Sequence, residues 1–274
     1  MKFDMNRAWN RTRIMITGNR DLVLVTAGLF FFLPFLAALL MLPQLIGDIP
    51  PPDAGPEAIQ AFIQNLPASV WLMILVLSLV QAMGTLGLLV LVGDTSRPTL
   101  GSALSRGFVA LAPYIVTQLL LGMGLQLLAL IPQVLAAASG SAAIQFVADL
   151  VLFVVTIYLI ARFSLAGVAM VLERKFNPIR AMLRSWQLTA GNGMRLASFY
   201  LLLGIAAIVI GLLAYFLLAL IFSLAGPQAS LIGASIALAA IGSIMLVLFM
   251  AVMAAAHRQL SGGGEAEGPS MPLG

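Results

Sequence analysis

The chain has 274 residues; 61% are hydrophobic and only 9% charged, with a mean hydropathy of +1.07 and a net charge of +4. Soluble domains carry about 25% charged residues, so a water-soluble globular class is excluded. With no cysteine and a single histidine, His257, a disulfide framework, a thiolate nucleophile and a multi-histidine metal site are excluded too.

The first 21 residues are polar and basic, and an apolar stretch then runs from Leu22 to Gly47. This is longer than the roughly 7–15-residue core of a signal peptide, and no small-residue cleavage site ends it. It is expected to be a retained first span. A bilayer core takes about 20 helical residues to cross, and its backbone polar groups must be satisfied internally. Charge-free stretches and breakers then predict six spans, over 22–46, 69–92, 108–135, 145–172, 196–224 and 229–256.

The loop 47–68 is acidic, with Asp48, Asp53 and Glu57, and contains Pro50-Pro51-Pro52, a stiff extended run. After Pro56, Ile59, Phe62, Ile63 and Leu66 recur at helical spacing and predict a short surface helix. Ser139-Gly140-Ser141 and Gly226-Pro227-Gln228 read as tight turns; the latter alone interrupts a charge-free run from Leu196 through Ala256. Residues 1–260 make one integral membrane domain, and the Gly- and Pro-rich 261–274 is expected to be a disordered tail.

Orientation follows from the basic residues. Lys2, Arg7, Arg11, Arg13 and Arg20 precede span 1, and Arg97 and Arg106 follow span 2. Arg174, Lys175, Arg180, Arg184 and Arg195 follow span 4, and Arg258 follows span 6. Loops 47–68, 136–144 and 225–228 hold no Lys or Arg, so every basic residue but Arg162 falls on one side. The positive-inside rule makes that side, and both termini, cytoplasmic.

An internal repeat is superimposed on this pattern. Arg7-Ala8-x-x-Arg11-Thr12, followed by Gly18-Asn19, aligns without a gap on Arg180-Ala181-x-x-Arg184-Ser185, followed by Gly191-Asn192. A weaker copy, Ala103-x-x-Arg106, precedes span 3. Asn177-Pro178 is a good N-cap followed by proline at the first helical position. Beyond it, Ile179, Met182, Leu183 and Trp186 form an apolar stripe, with Arg180, Arg184 and Gln187 opposite, and Gly191-Asn192-Gly193 should end the helix. Such a helix belongs in the headgroup layer. The expected fold is all-α: three parallel hairpin repeats (about 1–95, 96–174 and 175–260), each preceded by a cytoplasmic interfacial amphipathic helix.

Tyr158-x-x-x-Arg162-Phe163 leading to Glu173, then Ala181-x-x-x-Ser185-Trp186-x-Leu188-Thr189-x-Gly191-Asn192, resembles a bacterial inner-membrane family. Its members are the membrane domain ahead of some glycerophosphodiester phosphodiesterases and stand-alone relatives of the YciC type. The resemblance, strongest over residues 155–200, implies a six-span inner-membrane protein without established activity. It transfers no catalytic residue, because the hydrolase of fused members is a separate soluble barrel.

Arg162 is the one basic residue inside an apolar helix. Counted back from Glu173 along a straight helix it lies roughly 16 Å deep, near the midplane, where an arginine costs at least about 2.5–3.5 kcal/mol. It is an anion or lipid-phosphate contact, a charge on a substrate pathway, or a structural contact to carbonyls or side chains such as Gln81, Gln118 or Gln126. Asp149 is expected at the outer headgroup level. Arg7, Arg11, Arg180 and Arg184 are candidate contacts for anionic headgroups or a protein partner. His257 and Arg258 read as an interfacial anchor, and Gly233, Ala237, Gly242, Ala251 and Ala255 as a close-packing surface. No cofactor, metal or nucleic-acid signature is present. The expectation is a non-enzymatic module that organises lipids or docks a partner; the alternative is a transporter or channel for a small or amphiphilic solute.

Overall fold

A computed structural model describes residues 2–46, 50–51, 55–96 and 98–262. Asp48, Asp53, Pro52, Arg97 and the tail from 263 lie outside them. Among the described residues the chain is helical throughout, without a strand: α1 (Met5–Gly18), α2 (Arg20–Ala27), a π-turn (Gly28–Phe32), α3 (Leu33–Ile46), α4 (Pro56–Gln64), α5 (Ala68–Gly93), α6 (Leu100–Ala138), α7 (Ala142–Phe163), α8 (Ala166–Leu172), α9 (Pro178–Leu188), α10 (Gly193–Ser223) and α11 (Pro227–Leu260). Six stretches are long and apolar enough to cross a membrane: Arg20–Met41, Ala68–Gly93, Leu100–Ala138, Ala142–Leu172, Gly193–Ser223 and Pro227–Leu260.

Local chemistry sets the breaks. Pro34 lacks an N–H, and its ring would collide with the carbonyl four residues back. The helix answers by widening into the π-turn, where the Leu33 N–H donates to the Gly28 carbonyl. Gly140 (φ 63°) and Gly226 (φ 100°) hold the two predicted turns in the left-handed region, where a side chain is disfavoured. The predicted surface helix is α4, started by Pro56 at its first position. Asn177 caps α9 as read from the sequence, its side chain accepting from the Arg180 N–H at 3.0 Å.

The core sits at one end of the bundle. There α5 is buried on every side from Gly84 to Gly93, α8 from Ala166 to Val171, and α11 from Met250 to His257. The small-residue surface of α11 is where helices come close: Ala237, Ala251 and Ala255 are buried, and Gly233 lies against the Phe222 ring. A strap closes this end. The Phe3 N–H donates to Asn192 Oδ1 at 2.8 Å. With its amide turned to match, Gln259 donates to the Asp4 carbonyl at 3.2 Å and accepts from the Asp4 N–H at 2.9 Å. Thus α1 crosses the ends of α10 and α11.

Two details differ from the sequence reading. The copy before span 3 is no separate interfacial helix, because residues 100–107 are the first turns of a continuous α6. Thirty-nine residues give α6 a length of about 58 Å, against about 30 Å of hydrocarbon. Nothing between Leu100 and Gly107 breaks a helix, whereas Gly18-Asn19 and Gly191-Asn192 do. Span 4, in contrast, is interrupted, since α7 stops at Phe163 and α8 starts at Ala166. A depth for Arg162 counted along one straight helix therefore fails.

Candidate functional site

The break between α7 and α8 leaves carbonyl and N–H groups without helical partners. Helix α9 supplies them. Ser185 Oγ donates to the Arg162 carbonyl at 2.7 Å and accepts from the Leu165 N–H at 3.1 Å. Thr189 Oγ1 reaches the same Arg162 carbonyl at 3.3 Å. The ring of Trp186 lies under the Arg162 guanidinium, 3.8 Å from centroid to Cζ. The Ser185-Trp186-x-Leu188-Thr189 motif is thus a lock that docks α9 into the interrupted span. The face that docks is Ala181, Ser185 and Leu188, while Ile179, Leu183 and Trp186 of the apolar stripe stay exposed. In lipid this is the sensible arrangement, with small residues toward protein and apolar ones outward.

Arg162 is 5% exposed, with its Nε unpartnered and Tyr158 as a second, more distant ring at 6.0 Å. Its aliphatic stem lies against Gly193, where a Cβ would collide with it and with Tyr158. Gly193 opens α10, and the adjacent Asn192 holds the Phe3 strap. Arg162 therefore lies where α7, α9 and the start of α10 meet. Its partner is a tryptophan face and not Gln81, Gln118 or Gln126, a cation–π contact that substitutes for lost hydration.

Glu173, one residue past α8, joins three elements. It accepts from Arg184 Nε of α9 (2.8 Å to Oε2, 3.1 Å to Oε1) and pairs with Lys175 Nζ at 3.0 Å. His257 Nε2 of α11 lies 2.9 Å from Oε1. With Nε2–H donating to the carboxylate, the buried Nδ1 has no partner. The His257 hydrogen bond, with those of Arg184 and Lys175, outweighs the cost of burial and holds the Glu173 carboxyl well below its usual range. A parallel arrangement ends span 2. Asp94, one residue past α5, pairs with Arg106 of α6. Burial opposes its ionisation, but the Ser96 amide and hydroxyl and Arg106 prevail and keep its pKa below the ordinary value. Arg258 then caps α5, donating to the Gly93 carbonyl from Nη2 at 2.8 Å and Nε at 3.2 Å.

The sequence candidates are thereby dispersed. Arg180 and Arg184 line one cleft of about 390 Å³ with Arg174 and Lys175. Arg11 lines another, of about 480 Å³, with Arg106, Arg174 and Arg258. Arg7 is exposed and lines neither, and Arg162 is buried away from both. At the far end of α7, Asp149 is exposed and accepts from Gln145 Nε2 at 3.1 Å. Glu173, His257, Asp94, Arg106 and Arg258 did not emerge as a site from sequence. Their signal was the acid set one residue beyond each of spans 2 and 4, amid otherwise basic loops.

An apolar cavity of about 670 Å³ lies deeper, between α5, α6, α7, α8, α9 and α11. Its floor includes Leu89 and Gly167, Met182 of α9 faces it, and Leu120, Leu128 and Ile160 on its rim are exposed at the outer surface. Tyr114, Gln118, Thr85 and Ser164 are its few polar groups, and Arg162 does not line it.

Six membrane-length helices converging on one charged end define a multi-pass membrane protein. Residues 14–260 match the family described as a domain of unknown function, DUF7847, and the chain belongs to that family. No curated protein and no solved structure matches it.

Proposed function

We propose that this is a non-enzymatic protein of a bacterial inner membrane, with both termini cytoplasmic, that organises lipids by holding an acyl chain between its helices. The apolar cavity carries the reading. A space of about 670 Å³ with exposed leucine and isoleucine at its rim suits a hydrocarbon tail entering sideways, and Met182 is an adaptable wall. The basic end beside it favours lipids with anionic headgroups. The resemblance of residues 155–200 to membrane modules without catalysis of their own agrees. Transport through an Arg162-lined pathway loses support, because that side chain is stacked on Trp186 outside the cavity.

The threefold repeat is supported by burial. Ala8 and Thr12, Ala103 and Gly107, and Ala181 and Ser185 are all buried, four residues apart, and the arginine between each pair (Arg11, Arg106, Arg184) stands at the same basic end.

The test is lipid retention. Gly122 and Gly124 line the cavity, and a Cβ at either meets nothing within 4 Å. Gly122→Phe should therefore fill space without disturbing the fold. Mass spectrometry of the detergent-purified variant should find copurifying phospholipid reduced at unchanged thermal stability; undiminished lipid would defeat the reading. For orientation, Ser261→Cys in this cysteine-free chain should resist impermeant thiol reagents in intact cells, and external labelling would overturn it.

A further inference from the structure

We propose that the cleft where α1, α5, α6, α8 and α11 meet binds a phosphate dianion, carried on a lipid headgroup or free. The inference goes beyond the acyl-chain reading, since a cavity for a tail does not require a site for charge. Arg11, Arg106, Arg174 and Arg258, from separate elements, face a concave volume of about 480 Å³ in which Asp94 is the one carboxylate among the lining residues. Four guanidinium groups against one carboxylate make the lining basic and suited to an anion. The planar donor fork of arginine fits phosphate oxygens.

Two of these cations are in place before any ligand arrives. Arg106 is held by Asp94, and Arg258 by the Gly93 carbonyl. The Arg258 contact has a second effect: it covers the negative end of the α5 dipole, which would otherwise repel an anion. Arg174 is the remaining clue. It is exposed and, at φ 54°, is the one non-glycine residue with positive φ among those described. Glycine would hold that backbone without strain, yet the position carries a guanidinium, and the side chain lines both this cleft and the neighbouring cleft of Arg180 and Arg184.

The experiment uses the full chain in detergent, with inorganic phosphate titrated by calorimetry, and phosphatidic acid compared with phosphatidylcholine by native mass spectrometry. Wild type should bind at least one of the two phosphates saturably, more weakly as salt rises. Binding of phosphatidic acid alone assigns the ligand to a headgroup; equal response to inorganic phosphate assigns it to a free anion. Arg174→Gly should weaken that binding about tenfold, while its unfolding temperature stays level or rises because the backbone strain is gone. Arg174→Lys should fall between. No saturable binding of either phosphate, equal retention of phosphatidylcholine, or wild-type binding by Arg174→Gly would overturn the site. Failure of the acyl-chain reading shows separately, as Gly122→Phe with full lipid content and phosphate binding intact.

Discussion

At the basic end α5, α8 and α11 are buried from Gly84 to Gly93, Ala166 to Val171 and Met250 to His257, and are tied by Glu173, Arg258 and the Phe3 strap. At the other end α6, α7 and α10 leave Leu127, Ile131, Phe146, Leu213 and Leu220 exposed, and the polar contacts described there are local, such as Gln145 to Asp149. All six long helices are apolar, so apolarity alone does not decide which end is tightly packed. In a bilayer, lipid tails solvate leucine as well as protein does, and helices are held by small residues in close contact and by hydrogen bonds between them. The basic end has both.

The comparison is broken most directly at Glu173. Glu173→Gln leaves Arg184 and Lys175 without their anion, and should cost about 3 kcal/mol, read as a fall in detergent unfolding temperature; Asp149→Asn at the opposite end should change it negligibly. Equal effects at the two ends would remove the distinction. The pH dependence has a definite sign. Because the folded-state pKa of Glu173 lies below its ordinary 4.5, its stabilisation is complete above that value and lost as pH falls further. That acid-induced loss should be missing from Glu173→Gln.

A smaller effect is expected from Gly84→Ala. The added methyl would fall on Phe30 Cβ, within the π-turn, where little can yield. Overpacking there should cost about 1–3 kcal/mol, whereas Gly124→Ala, with open space around it, should be neutral or slightly stabilising. Smaller still is Arg162→Lys. Losing the planar stack on Trp186 should lower stability by about 1 kcal/mol, and Arg162→Leu should lower it as well through the lost stack. Wild-type unfolding of the lysine variant would mean that the stack contributes nothing.

The spans, both turns, the cap at Asn177 and the surface helix α4 were legible because charge-free length, glycine and proline act locally. The repeat motif was legible as letters, but not its meaning. Ser185 and Thr189 serve a carbonyl and an amide freed by the break in span 4, twenty or more positions away, and no periodicity announces that break. The same gap hid the surroundings of Arg162, since a count along an unbroken helix takes no account of Ser164 and Leu165. Glu173 was legible as an acid in a basic loop, yet its link to His257, 84 residues on, is a product of packing alone.

The strap has a bearing on biogenesis. Phe3 and Asp4 are bound by Asn192 and Gln259, so this segment is made well before the partners that hold it. Until α11 is in the membrane, α1 lacks the helix it packs against most extensively, and its basic residues remain available to the lipid headgroups or to a chaperone. Closure of this end then occurs as one late event, entropically costly because the joined segments are so far apart in the chain. A nascent chain stalled before α11 would leave α1 without its main partner, a state that quality-control proteases could recognise as unfinished.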